Sequence, residues 1–168
     1  MENFDGFSPQ RLKELAASHS TENKKFFKRL KRLNSNEVDE LFHHAHTEEF
    51  EKTDCLSCAN CCRTISPAIS HRDVERMAKG LREKPSVLAE KYMVIDADGD
   101  YVFRNSPCPF ILPDNYCSIY EYRPKACREY PHTDRKRMQQ ILNLTQKNVS
   151  VCPIVFNVVE RIKSAGNV

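Results

Sequence analysis

Four thiols fall within eight residues of this chain, at Cys55, Cys58, Cys61 and Cys62, and four more follow at Cys108, Cys117, Cys127 and Cys152. Free cysteines behave as small buried hydrophobes, with no reason to gather two residues apart. The cluster therefore asks for a cross-link, either disulfides or a metal. The compartment decides between them. Met1-Glu-Asn-Phe-Asp-Gly has neither the basic nor the apolar stretch of a secretory signal. The sequence also contains no run of about 18 apolar residues able to cross a membrane. The chain is thus expected in a reducing cytoplasm, where eight cysteines read as metal ligands rather than as a disulfide framework. Without a secretion route, the glycosylation patterns at Asn143 and Asn148 carry no meaning.

The spacing narrows the chemistry. A Cys-x2-Cys pair places two sulfurs on one tight turn, within reach of one tetrahedral ion or of two irons in a cluster. Cys55, Cys58 and Cys61 extend this to the triplet that bacterial ferredoxins use, but where that pattern continues with Cys-Pro this chain has Ser66-Pro67. It is not a ferredoxin. If the segment is extended, Cys61 and Cys62 point to opposite sides and serve two centres. Eight thiols then divide into Cys55, Cys58 and Cys61 with Cys152, and Cys62 with Cys108, Cys117 and Cys127. All-thiolate coordination suits both zinc and iron, including iron–sulfur clusters, in one or two centres.

The rest of the chain reads as mainly α with a small β-hairpin. Residues 1–54 hold no cysteine and form a helical N-terminal extension, while 55–168 form a cysteine-cluster domain organised by metal. Phe26, Leu30 and Leu33 lie at helical spacing among Lys24, Lys25, Lys28, Arg29, Lys31 and Arg32, an amphipathic helix with a basic face. That face could meet nucleic acid or anionic lipid, but for so short a run a solvated surface is the expected reading, and with a net charge of only +3 a nucleic-acid partner is not expected. A second helix carries Val38, Leu41, Phe42 and Ala45, with His43 and His46 three apart but nothing nearby to complete a metal site. Ser70-His71-Arg72-Asp73 has the form of a capping box, and Pro85 opens another helix. Helices over 71–92 lack the basic face that a DNA-recognition helix needs. Asp98-Gly99 predicts a hairpin turn between Met93–Asp96 and Tyr101–Arg104; its aspartates do not match a calcium loop, because Gly99 is misplaced. Residues 105–131 are irregular and rich in proline, so bound metal is expected to hold them and its removal to unfold them. Helices are predicted from Met138 to Thr145 and from Cys152-Pro153 onward.

Cys55-x2-Cys58-x2-Cys61-Cys62-Arg63, Cys108-Pro109-Phe110-Ile111, Cys117-Ser118-Ile119-Tyr120-Glu121-x-Arg123-Pro124-x2-Cys127-Arg128-x-Tyr130-Pro131 and Cys152-Pro153 together resemble the YkgJ-type cysteine-cluster family. That family carries a zinc- or iron-chelating CxxCxxCC domain, and the resemblance runs from about residue 55 to 155 with Ile111 where leucine is more usual. It implies a bacterial, cytoplasmic protein; some members are labelled iron–sulfur oxidoreductases, and a similar domain occurs in flagellin lysine methylases. Physically, Arg63, Arg123 and Arg128 would hold the cofactor by offsetting thiolate charge and donating hydrogen bonds to sulfur; the competing reading pairs them with Glu121 or Glu129. Metal binding with a redox or metal-handling role is the leading expectation. The alternatives are a structural zinc module that engages a protein partner, and a metal-dependent enzyme using His71, His132 or Tyr120 as acid or base. No catalytic residue is assigned.

Overall fold

Several helices in this chain start where a polar side chain accepts from a free first-turn N–H group or where a proline leaves one such group absent. Ser8 accepts from the Arg11 N–H, Asn34 from Asn36, and Ser70 from Asp73, while Pro9, Pro85 and Pro153 stand in first turns. The structure, a computed structural model, describes residues 8–53 and 55–166. The opening residues read above for a leader, and Asp54 at the expected boundary, lie outside the described residues. In chain order the helices are α1 Pro9–Ser18, α2 Ser20–Leu30, α3 Ser35–Phe50, α4 Cys55–Cys58, α5 Asn60–Thr64, α6 His71–Leu81, α7 Pro85–Tyr92, α8 Lys125–Arg128, α9 Leu142–Asn148 and α10 Pro153–Ser164. Strands β1 Met93–Ile95 and β2 Tyr101–Phe103 make one antiparallel hairpin, with Met93 opposite Phe103. The mainly α reading with one small hairpin holds.

Two compact units emerge, the first built from both ends of the chain and the second from the uninterrupted stretch between them. The first joins residues 1–55 to 131–168. Its apolar faces are those the helical spacing marks: Leu12, Phe26, Phe27, Leu30, Val38 and Phe42 are buried with Met138, Leu142, Ile154 and Val158. Helix α3 packs on α10 and α2 on α9. Polar ties reinforce this pairing of chain ends. Asp39 accepts from the Arg137 and Met138 N–H groups, and the Gln139 amide donates to the Leu33 carbonyl. The N-terminal helices thus complete a core with the C-terminal ones.

The second unit, residues 56–130, is built on α6, α7 and the hairpin. Ile69, Val74, Met77, Ala78, Leu88, Met93 and Phe103 form its core. In the hairpin turn Asp96 accepts from the N–H groups of Asp98 and Asp100, and Gly99 takes φ +86°, which fits a turn and not a calcium loop.

Residues 105–131 are irregular as expected, apart from a 3₁₀ turn at Tyr120–Tyr122 and the single turn of α8. Core packing and backbone hydrogen bonds also anchor them. Phe110 and Ile119 reach into the core at 5% and 3% exposure, each contributing about 2 kcal/mol by burial. The Ser118 N–H donates to Phe110, Ile111 bridges Cys117, and the Ser106 hydroxyl donates to the Arg63 carbonyl.

Candidate metal centre

The Cys-x2-Cys-x2-Cys-Cys stretch is two short helices joined at one residue. Cys55–Cys58 closes a single turn, Ala59 takes a left-handed φ of 48°, and α5 then carries Cys61 and Cys62. A non-glycine residue there costs about 1 kcal/mol, and the buried methyl of Ala59 is the smallest side chain that bears it. The segment around Cys61 and Cys62 is helical, not extended, so the two side chains project about 100° apart rather than to opposite faces. The Cys61 thiol in fact donates a hydrogen bond to Cys62.

The second unit brings Cys62, Cys108, Cys117 and Cys127 into one electrostatic neighbourhood. The Cys108 N–H donates to the Cys62 carbonyl at 2.8 Å, which ties the proline-rich segment to α5. Cys108 and Cys117 flank the loop anchored by Phe110, and α8 carries Cys127. Burial pushes the Cys127 thiol up to about 12, and the charges of Cys62, Cys108 and Cys117 add to that rise. Cys108 is pushed up to about 11, again chiefly by burial, then by Cys62 and Cys117. Cys117 is raised by burial and by Cys62. Cys62 moves the other way, down to about 7, because the Cys61 thiol donates to it and Arg63 lies close, together outweighing its burial. One thiol that ionises more readily thus stands among three that resist ionising. A thiophilic cation relieves that resistance, since thiolate is the binding form and metal binding releases the protons.

The donor chemistry therefore fits zinc or iron. The side chains are not arranged as a closed shell: among the described residues, no three His, Cys, Asp or Glu side chains are grouped to hold a metal ion. None of the eight cysteines is in a disulfide. Cys152 is buried in the first unit as the N-cap of α10, and Cys55 is exposed.

The three motif arginines are engaged in different ways. Arg63 donates to the Asn115 amide oxygen, and its charge lowers Cys62. Arg123 lies over the Tyr120 ring at 3.6 Å, donates to the Tyr120 carbonyl, and opposes the rise of Cys117 and Cys127. Arg128 donates back to the Arg123 carbonyl at 3.1 Å. Glu129 pairs with Lys125.

Two positioning features escaped the sequence. Asp73, beyond closing its capping box, accepts from the Lys125 N–H at 2.9 Å and from Arg76 at 2.7 Å; Arg76 also donates to the Arg123 carbonyl at 2.6 Å. Burial raises the Asp73 carboxyl, but these bonds and those from Ser70 outweigh it and hold the group below the usual carboxylate range. One buried carboxylate thus fixes the turn that leads into Cys127. The second feature is Gly80. A Cβ there would stand 2.3 Å from Tyr122 Cγ and Cδ2, so only glycine lets the Tyr120–Tyr122 turn lie on α6.

The histidines have local roles. His43 bonds the Arg135 carbonyl, and His46 bonds the Thr133 hydroxyl while stacking on Phe50. Burial lowers His46, with Asp134 opposing and His43 assisting. His71 meets Tyr101 edge-on, and His132 takes φ +65°.

No curated protein and no solved structure matches this chain. A sequence-family profile described as "CxxCxxCC: Putative zinc- or iron-chelating domain" does match it, over residues 54–153. That span takes in all eight cysteines, the motif arginines, Asp73 and Gly80, and more than half of the chain. With the thiols, their spacing and the profile in agreement, the chain belongs to the CxxCxxCC family.

Proposed function

We infer that the protein coordinates zinc or iron through its cysteine thiolates, in a metal-handling or redox role. The observation that carries this is that Cys62, Cys108, Cys117 and Cys127 come from separate segments of one compact unit, where Cys108, Cys117 and Cys127 are part-buried thiols whose ionisation burial resists. These four are proposed as one ligand set, and Cys55, Cys58, Cys61 and Cys152 supply the remaining thiolate ligands. Bound metal would cross-link the ligand segments, and iron would add one-electron chemistry. Arg63, Arg123 and Arg128 serve this by lowering the cost of collected thiolate charge, as the effects of Arg63 on Cys62 and of Arg123 on Cys127 indicate.

The alternative role is a closed zinc module that presents a protein-binding surface. Leu112, Tyr116, Tyr120 and Tyr122, all exposed within the proline-rich segment, favour it. Metal content per chain, measured on anaerobically purified protein, tests the inference. Iron with matching sulfide and colour supports the redox role, colourless zinc the module. Cys62→Ser and Cys127→Ser should each lower the metal content. Unchanged content in both variants removes the proposed ligand set.

A further inference from the structure

The whole-chain charge conceals a local asymmetry. Six of the 26 Lys and Arg residues lie between Lys24 and Arg32, with no acid among them, so the rest of the chain carries 20 bases against 23 acids. In the structure all six are exposed. They form two adjacent rows on α2 and the turn that follows it: Lys24, Lys28 and Lys31, and Lys25, Arg29 and Arg32. Each row steps by four and then three residues and so keeps to one face. At 1.5 Å per residue the array is about 12 Å long.

Helix electrostatics alone does not account for it. Cations near a C-terminus stabilise the last turn, which covers Lys28 and Arg29, but Lys24 and Lys25 stand a turn earlier. The acid that precedes the rows in the sequence, Glu22, already pairs with Lys163 at 3.3 Å. Lys31 reaches across to the Asn143 amide oxygen of α9, and Lys147 follows one turn further on that helix, widening the basic face. The apolar side of α2 is consumed by the core: Phe26, Phe27 and Leu30 are at most 1% exposed. No large exposed hydrophobic lies on α2 among the described residues. The helix therefore has no apolar face left to embed in a lipid surface, as an interfacial helix must.

We propose that the basic face of α2 binds the phosphodiester backbone of duplex nucleic acid, independently of sequence. A duplex offers a regular negative charge about every 1.7 Å along its axis, matched to a rigid double row of cations. The proposal is confined to backbone contacts, which position a protein on a duplex and carry no sequence information directly.

The test uses the metal-loaded full chain and a fluorescein-labelled 20-base-pair DNA, with an RNA duplex of equal length in parallel. Binding should weaken steeply with salt, with a log–log slope of about −4 to −5 for five or so phosphate contacts. Lys25→Gln/Arg29→Gln/Arg32→Gln should flatten the slope by about 3 and weaken binding about tenfold or more at low salt. Glutamine is a good helix former, and an unchanged circular dichroism spectrum and metal content would show that the triple variant is folded. Lys79→Gln/Lys84→Gln/Lys91→Gln removes as much charge from exposed positions of the other unit and should leave the slope unaltered. Equal weakening by both triples, or binding confined to phosphatidylserine vesicles or to polyglutamate, overturns the proposal.

Discussion

Replacing Gly80 by alanine should destabilise the protein, although propensity alone predicts the reverse. Alanine in a helix interior is favoured over glycine by about 1 kcal/mol. Here the new methyl would stand 2.3 Å from Tyr122 Cγ and Cδ2 and 2.6 Å from Cδ1. Carbon atoms rest at about 3.5–4.0 Å, so the overlap exceeds about 1 Å and the ring must leave α6. Overpacking of this kind costs about 1–3 kcal/mol, and Tyr122 at 42% exposure has solvent to move into, which places the cost near the middle of that range. The net loss is then about 1 kcal/mol. In a Tyr122→Ala background the obstruction is gone, and Gly80→Ala should stabilise by about 1 kcal/mol. The coupling between the two changes is thus about 2 kcal/mol. Urea unfolding followed by circular dichroism at equal metal loading measures all four corners of the cycle. Metal retention should fall in the single Gly80→Ala variant, because Tyr122 adjoins the Arg123–Cys127 turn. If Gly80→Ala stabilises the wild type as much as the Tyr122→Ala protein, the close approach of Tyr122 to α6 is refuted.

Asp73→Asn should cost about 2–3 kcal/mol, since it replaces a buried carboxylate that holds Arg76 and two backbone N–H groups. Because the folded carboxyl titrates below its unfolded value, this difference is full above the ordinary aspartate pKa, about 3.9, and disappears as the pH falls through the lower folded value; stability curves of both proteins from acid to neutral pH check it. His46 is likewise depressed when folded, so its neutral form stabilises the protein above about pH 6.5. That contribution is lost as the pH falls through the folded value, and His46→Gln should flatten this part of the curve. Phe110→Ala removes no thiol, yet it should cost about 3–4 kcal/mol and lower metal retention, measured as zinc or iron per chain after gel filtration, because Phe110 anchors the loop between Cys108 and Cys117.

What the sequence made legible was whatever is encoded locally. The capping box at Ser70, the proline starts of α7 and α10, the Asp98-Gly99 turn and the apolar stripe of α2 each depend on residues within a turn or two. The thiols were legible through their spacing. Missed were features that depend on partners far along the chain. Nothing local marks Gly80, because Tyr122, forty-two residues later, is what requires it. Asp73 looked like a cap alone, because its bond to Lys125 spans a similar distance. The adjacency of Cys61 and Cys62 was read as extended, because nothing in a four-residue pattern announces the left-handed Ala59 that starts a new helix. The proline-rich segment looked unsupported because Phe110 and Ile119 are isolated apolar residues, with no periodicity to mark them as core.

The central claim is thiolate coordination of zinc or iron, and X-ray absorption at the metal edge of the anaerobically purified protein tests it most directly. A first shell of sulfur alone, near 2.3 Å for zinc, is the predicted result. A first shell dominated by nitrogen or oxygen would contradict it.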